Sequence, residues 1–441
     1  MKVYLESLGC ARNLVDSEIM LGLLAQDGFE IVQDPETAEI IVVNTCSFIT
    51  SAAEESIEMV LAFAEYKKSA ACKYLIVCGC LPERYGRDMV PELPEVDLFL
   101  GTAAGTDIVR ALNSLKKEDL VDKCIFPDPV SVSPEKSHLP RLTSNLHMAY
   151  IKISEGCSRH CTYCIIPKLR GSYRSRSEAD ILAEAKRLVG EGCKELVLVA
   201  ESTTDYGSDF SNGSTLPSVL RNIAAIPGDF RVRLLYGFPD NLTDEIIDAV
   251  GSTDKVCCYF DVPIQHGVDS VLKAMGRHYA QDDLLTLFER IRAKFPHAAL
   301  RTTLITGFPG ETDKDFKALL KFIKEVCFDH LGVFTYSDSD DLPSHGLPDH
   351  VTAKKAQNRH DRLMAAQAEI SMTKNIGHVG NVYRVLIEEN PEAGMYLGRT
   401  DFQAPEVDGL TFVYAENLAI GDFVMVRISE AYEYDLSGEP A

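Results

Sequence analysis

Residues 154–167, Ser154 through Pro167, read SEGCSRHCTYCIIP and place three cysteines, Cys157, Cys161 and Cys164, with three and then two residues between them. A structural zinc site takes four ligands, usually as two separated pairs. The nearby fourth candidate here is His160, and it adjoins Cys161, a poor geometry for one ion to use both. An iron–sulfur cube normally takes four thiolates. With three supplied, one iron keeps an open site for a substrate or cofactor.

The flanking pattern says what carries this loop. From Ala149 six strand signals recur with helical stretches between them: AYIKIS (149–154), ELVLVA (195–200), RVRLLYG (231–237), VCCYFDV (256–262), ALRTTLI (299–305) and LGVFTYS (331–337). The first of the helices is well marked. Ser177 caps it, Asp180 holds the capping-box position, Ile181, Leu182, Ala185, Leu188 and Val189 form its apolar face, and Gly190 and Gly192 close it. Six βα units are fewer than the eight of a closed barrel, so an open (β/α)6 barrel is expected. The cysteines follow its first strand, at the carboxyl end where such folds place active sites.

Outward from the barrel, residues 1–126 also alternate. KVYLESLG (2–9), EIIVVNT (39–45), KYLIVCG (73–79) and VDLFLG (96–101) read as short buried strands, with helical patterns at Leu14–Gln26 and Ala52–Tyr66. This predicts a small parallel α/β layer. Residues 127–145 are rich in proline and serine without a period and read as a linker. The barrel region is 146–374, ending in a helical stretch at Ala353–Thr373. Residues 376–441 change to short alternating strands, NVYRVLIEE, MYLGRT, LTFVYAE and DFVMVRISEAYEY, and predict a small β-barrel. The fold class is α/β with that β-barrel appended.

Cys10, Cys46 and Cys80, in SLGCARN, VNTCSFI and VCGCLPERY, each fall just after a predicted strand of the first region. If those strands are parallel neighbours, three thiols meet at one sheet edge, where open α/β sheets bind ligands. Three separately buried thiols are the alternative. Cys72, Cys124, Cys193, Cys257, Cys258 and Cys327 are read as core or incidental thiols, and Cys78, two residues before Cys80, is a close neighbour of the set.

The 441 residues are 46% hydrophobic and 25% charged, carry 13 cysteines and have a formal net charge of −22. No apolar run approaches the roughly 18 residues of a membrane span, and Glu6 interrupts any leader-like start. A cytoplasmic protein without membrane contact is expected, its cysteines serving metal or catalysis rather than disulfides. The net charge opposes loose binding to a phosphate backbone. Lys168, Arg170, Arg174 and Arg176 form a run with no acid between them, read either as a solvated loop or as an anion-contacting one.

The spacing Cys-x-x-x-Cys-x-x-Cys, with Tyr163 before the last cysteine, resembles the radical S-adenosylmethionine superfamily, and CSRHCTYCIIPKLRGSYRSRS (157–177) is similar to its methylthiotransferase branch. That resemblance implies a [4Fe–4S] cluster on Cys157, Cys161 and Cys164 whose open iron binds S-adenosylmethionine, with Tyr163 among the cofactor contacts. TTLITGFPGET (302–312) resembles the branch's glycine turn near the adenine and implies contacts from Thr303 and Gly307; YFDVPIQHGVDSVLKAM (259–275) matches a further motif. After the second strand the branch shows Gln followed by Asp or Asn, whereas this chain has Glu201 and Ser202. Glu201 accepts a hydrogen bond but cannot donate one as an amide does. LGCARNLVDSE (8–18) matches the branch as well and implies a second [4Fe–4S] cluster on Cys10, Cys46 and Cys80.

Members of the branch act on a tRNA adenosine or on an aspartate of protein S-twelve of the small ribosomal subunit. SLGCARNLVDSE and GRTDFQAPEVDG (398–409) resemble the second type. Residues 376–441 hold three arginines, no lysine and twelve Asp or Glu, a net of −9 that suits a basic protein rather than RNA. The implied reaction is transfer of a methylthio group to the aspartate β-carbon, with a one-electron donor of flavodoxin or ferredoxin type. Methylthiolation of tRNA is the alternative. A non-catalytic iron–sulfur redox or assembly protein leaves the barrel and its adenine-type turn unexplained.

Overall fold

The computed structural model describes residues 1–117, 120–211 and 213–441. In the first region six parallel strands form one sheet in the order β2-β1-β3-β4-β5-β6: β1 (Lys2–Ser7), β2 (Glu30–Ile31), β3 (Ile40–Thr45), β4 (Tyr74–Gly79), β5 (Leu98–Leu100) and β6 (Cys124–Ile125). Four were expected; the two edge strands are two residues each, too short to show a period. β3 and its neighbours β1 and β4 are in register at Ser7–Asn44 and Thr45–Gly79, so their carboxyl ends lie together.

The helix after β1 runs Ala11–Gln26, three residues earlier than its apolar pattern. It is apolar on two faces. Met20 and Leu24 pack on the sheet with Val3, Ile40 and Val42. Ala11, Val15 and Ile19 pack instead on Tyr150, Val197, Val199, Leu235 and Tyr259 from the second region. A helix buried on both sides is one shared between two layers.

That second region contains β7 (Met148–Lys152), β8 (Ser154–Glu155), β9 (Arg174–Ser175), β10 (Glu195–Val199), β11 (Arg231–Leu234), β12 (Tyr259–Asp261), β13 (Ala299–Thr306) and β14 (His330–Thr335). Two parallel sheets, β11-β10-β7 and β12-β13-β14, are joined by a parallel bridge at Val232–Val256. This is the expected open (β/α)6 barrel. Its concave face is filled by the Ala11–Gln26 helix, and burying Val15 and Ile19 there contributes roughly 1.5–3 kcal/mol apiece.

The 127–145 segment is ordered by its partners. Gly22 has no side chain, and a Cβ there would run into the Pro140 carbonyl, so the segment crosses the helix in contact. Arg141 is buried and donates from Nε to Glu18 at 2.7 Å and from Nη1 to Glu184 at 2.7 Å, joining the first helix to the barrel. Asp180, placed by its spacing at a capping box, instead accepts from the backbone N–H of Lys136 and Ser137 and from Arg176.

The helix Ala353–Ile376 leads to a closed barrel, β15-β16-β17-β19-β18, of β15 (Val382–Glu392), β16 (Met395–Arg399), β17 (Thr411–Tyr414), β18 (Phe423–Ala431) and β19 (Leu436–Pro440). β19, LSGEP, lies beyond the four expected strands; its glycine and proline interrupt a strand pattern. The loop after β16 reaches back to the (β/α)6 barrel. Asp408 on it is fully buried, accepting from the Tyr259 hydroxyl at 2.6 Å and from Ala404 N–H at 2.8 Å. Its charge therefore belongs to an internal joint and not to the acidic surface of this barrel. Among the described residues no helix is long and apolar enough to cross a membrane.

Candidate metal centres

Cys10, Cys46 and Cys80 stand at the carboxyl ends of three adjacent parallel strands, as N-cap of the first helix, directly after β3, and as first residue of the helix after β4. Gly9, at φ +90°, lies so close to Cys46 that a Cβ would meet its Cβ at 2.6 Å. Asn13 binds the turns together: its Nδ2 donates to Leu8 O at 3.1 Å and Thr45 O at 2.9 Å, and its Oδ1 lies 3.8 Å from Cys80 Sγ. The three thiols sense one another electrostatically, with Cys10 and Cys46 both acting on Cys80. Cys78 points elsewhere, into an apolar cluster with Met20.

The second set lies on the loop between β8 and the helix Ile166–Arg170. Gly156, at φ +72°, turns the chain against the Arg170, Gly171 and Ser172 carbonyls, and Cys157 N–H donates to Gly171 O at 3.0 Å. Farther along, Thr162 N–H reaches Met275 O at 3.1 Å, its hydroxyl reaches Ala274 O at 2.8 Å, and Ser344 N–H reaches Thr162 O at 2.9 Å. Arg159 is clamped to Asp205 at 2.7 and 3.0 Å. Tyr163 accepts from Arg277 and packs edge-on against Phe308. His160 is exposed.

Among the described residues, no three His, Cys, Asp or Glu side chains close around a point as ligands of a single ion. A cube bonds each thiolate through a different iron, so its ligands stand a cluster-width apart, and the thiol chemistry fits that group. Burial pushes the Cys80 thiol up to about 12, against the pull of Arg170. Burial also raises Cys46, Cys157 and Cys164, and the backbone N–H groups of Phe48, Arg159 and Ile166, each two residues on, work against it by donating to the sulfurs. Donors aimed at buried sulfur favour its anion, the form that binds iron.

Between the two sets lies one ion pair. Arg12 Nε is 2.9 Å from Glu201 Oε1, and Arg12 Nη1 donates to Ala200 O at 2.9 Å. The Arg12 charge acts on Cys46, and that of Glu201 acts on Cys157 and Cys164. Burial opposes the guanidinium charge, yet Glu201, Cys10 and Tyr236 hold the Arg12 pKa above its ordinary value. Tyr236, at φ +62°, carries its ring 5.0 Å from the guanidinium carbon. Arg12, Asn13 and Tyr236 were not singled out from the sequence; the polar run inside LGCARNLVDSE could have found the first two, whereas Tyr236, near the end of RVRLLYG, carries no such signal.

The other expected contacts are distributed less simply. Thr303 sits on β13, half-buried, with its carbonyl accepting from Gln265 N–H at 2.9 Å. Gly307 is at φ +77°, and the space a Cβ would take is filled by Ala356, so its lack of a side chain admits a helix. The basic run is not an open anion loop. Arg170 is buried against Asp16 (2.8 Å) and Asn13 Oδ1 (2.5 Å), Arg176 against Asp180 and Glu184, Arg174 on the Val130 and Val132 carbonyls, and Lys168 on Asp341.

Three family models match along the chain: Uncharacterized protein family UPF0004 over residues 2–101, Radical SAM superfamily over 151–323, and TRAM domain over 379–440. In fold the chain is similar to the radical S-adenosylmethionine methyltransferase TsrM of Kitasatospora setae, with a TM-score of 0.60 at 12% identity over 84% of this chain and 88% of that one. In sequence it is similar to the ribosomal protein uS12 methylthiotransferase RimO of Desulfosudis oleivorans, 49% identical over 100% of both chains. The protein of that name from Clostridioides difficile is 45% identical over 100% of this chain and 98% of its own. Matched end to end by these relatives at 45–49% identity, the chain belongs to the RimO family of radical S-adenosylmethionine methylthiotransferases.

Proposed function

We propose that this enzyme transfers a methylthio group to the β-carbon of an aspartate in ribosomal protein uS12. The observation that carries the reading is the pairing of two three-thiol sets, one at each carboxyl-end edge, across the Arg12–Glu201 contact. Cys157, Cys161 and Cys164 would hold one [4Fe–4S] cluster and Cys10, Cys46 and Cys80 the other, with Tyr163, Glu201, Thr303 and Gly307 on the S-adenosylmethionine side. When bound, these groups supply a 5′-deoxyadenosyl radical at the barrel and a sulfur carrier at the first layer.

The chain's own residues do the positioning. Arg277 fixes the Tyr163 hydroxyl beside the cysteine loop, and Gly276 lets that turn approach His160 O, where a Cβ would stand 2.8 Å away. The Ala11–Gln26 helix fills the barrel's concave face, shielding it from water and fixing one thiol set relative to the other. A cytoplasmic setting and a one-electron donor of flavodoxin or ferredoxin type belong to the same reading. Mass spectrometry of uS12 and of bulk tRNA, each treated with the reconstituted enzyme, S-adenosylmethionine, a one-electron reductant and sulfide, tests it. The expected result is a methylthio adduct on a uS12 aspartate; an adduct on tRNA alone refutes the substrate.

A further inference from the structure

We propose that Arg12 recognises the side-chain carboxylate of the substrate aspartate and thereby sets the preference for aspartate over its amide. The proposal rests on the aspartate reading above and concerns one residue of that site. The β-carbon to be modified is bonded to a carboxylate that is ionised at neutral pH. Enclosing that charge between two buried thiol sets requires a fixed cation.

Arg12 is placed for this task. It lies two residues past Cys10, its charge acts on Cys46, and its partner Glu201 acts on Cys157 and Cys164. The guanidinium is held on one side, by Ala200 O at 2.9 Å, Glu201 at 2.9 Å and the Tyr236 ring. Nη2 makes no hydrogen bond among the described residues, and the side chain keeps 15% of its surface accessible. The Nη2 arm of a pre-oriented fork therefore remains for an incoming oxygen. Arg170 is committed to Asp16 and Asn13 and Arg159 to Asp205, while Arg277 and Arg301 are tied to Tyr163 and Asp261 and their unpaired Nη1 and Nε are buried.

A carboxylate gains a charge-assisted bond from Arg12 that an amide does not. Glu201 shares the cation and holds the incoming charge below full neutralisation. Removing the Glu201 charge should therefore strengthen aspartate binding.

The test is binding of two synthetic peptides, matching the uS12 target segment with Asp or with Asn at the target position, to the anaerobically reconstituted enzyme. Fluorescence anisotropy reads the affinity, and iron per chain is measured for every variant. Wild type should prefer Asp by ~10-fold or more, the scale of one charge-assisted bond. Arg12→Met should reduce the preference to within about twofold, Arg12→Lys should restore part of it, and Glu201→Gln should raise it. Equal binding of both peptides by wild type overturns the assignment while methylthiolation stands. So does a wild-type preference in Arg12→Met with full iron. Where Arg12→Met loses iron, Arg12→Lys and Glu201→Gln decide: an unchanged preference in both overturns it. A larger affinity loss for S-adenosylmethionine than for the Asp peptide assigns Arg12 to the cofactor's carboxylate instead. Modification of tRNA and not uS12 by wild type is the separate failure of the function itself.

Discussion

Arg399, on the last residue of β16, donates from Nη2 to Glu195 on the first residue of β10 at 2.7 Å, and both side chains are buried to within 1% of completely. Glu195 also accepts from Arg233 Nε at 2.7 Å and Arg231 Nη2 at 2.9 Å, while Arg233 Nη1 reaches the Asp401 carbonyl at 2.8 Å. Glu195 thus faces three guanidiniums where the C-terminal loop docks on the barrel, with Glu388 as a second acceptor for Arg399 alone, from Nε at 2.7 Å. Glu195→Ala leaves them without it and should cost about 3–5 kcal/mol, read by denaturant unfolding. Burial alone would raise the Glu195 carboxyl, but Arg231, Arg399 and Arg233 outweigh it and hold the pKa well below the usual range. The folded value is then below the unfolded one, about 4.3. This group's stabilisation is fully present above that pH and is lost as pH falls through it toward the folded pKa. Glu195→Gln should flatten that acid limb, with no new slope between pH 5 and 8.

The two thiol sets predict a count. Reconstituted wild type should carry about eight irons, and replacement of Cys157, Cys161 and Cys164 together by Ala should leave about four. Cys10→Ala should still form 5′-deoxyadenosine from S-adenosylmethionine while losing methylthiolated product. Complete loss of iron in the triple variant would show that the first set is not an independent centre.

The six barrel strands and the placement of both cysteine sets at strand ends were legible because strand and helix periods alternate cleanly there. What was not legible depends on partners distant in sequence. Arg170 and Arg176 read as surface because Asp16, Asp180 and Glu184, which neutralise them, lie outside the run. Asp16, Ser17 and Glu18 sit on what looks like the polar side of an amphipathic helix. In the fold they meet Lys152, Ser7 with Asn44, and Arg141 with Ser144. The 127–145 segment has no period of its own, and Arg141 supplies its order through two carboxylates. β19 was hidden because its glycine and proline carry turn signals, whereas its pairing with β17 and β18 closes the barrel.

The acidic C-terminal barrel predicts salt-dependent affinity for a basic partner. Glu389 and Glu392 on β15 are exposed, unlike Asp408, and are the positions at which to reverse charge. Glu389→Lys with Glu392→Lys should weaken binding to purified uS12 severalfold at low salt, with the difference fading as ionic strength rises. Asp408→Asn should behave differently. It disturbs the acceptor of Tyr259 and Ala404 and should lower stability by about 1–3 kcal/mol at any salt. A salt-independent effect of the surface pair would remove the electrostatic account of partner choice.

Asn13 is the residue on which the first thiol set depends for its shape. It is 1% exposed, and its side-chain amide serves two strand-end turns with its donors while its oxygen accepts from Arg170 Nη2 at 2.5 Å. Neither Leu8 O nor Thr45 O has water to turn to at that depth, and an orphaned buried acceptor or donor costs about 1–3 kcal/mol. Asn13→Ala should therefore loosen the Cys10, Cys46 and Cys80 turns together, leaving about four irons per chain. Asn13→Asp separates charge from geometry. The carboxylate still faces Arg170, but it has no N–H to give to either carbonyl, so it should lose the same iron as Asn13→Ala. Because the barrel loop is held by Gly171, Met275, Ala274 and Ser344, S-adenosylmethionine cleavage should persist in both variants. Iron content and 5′-deoxyadenosine, measured on the same preparations, check the pair. Full iron in Asn13→Asp would mean that the charge toward Arg170, and not the two amide donors, organises the site.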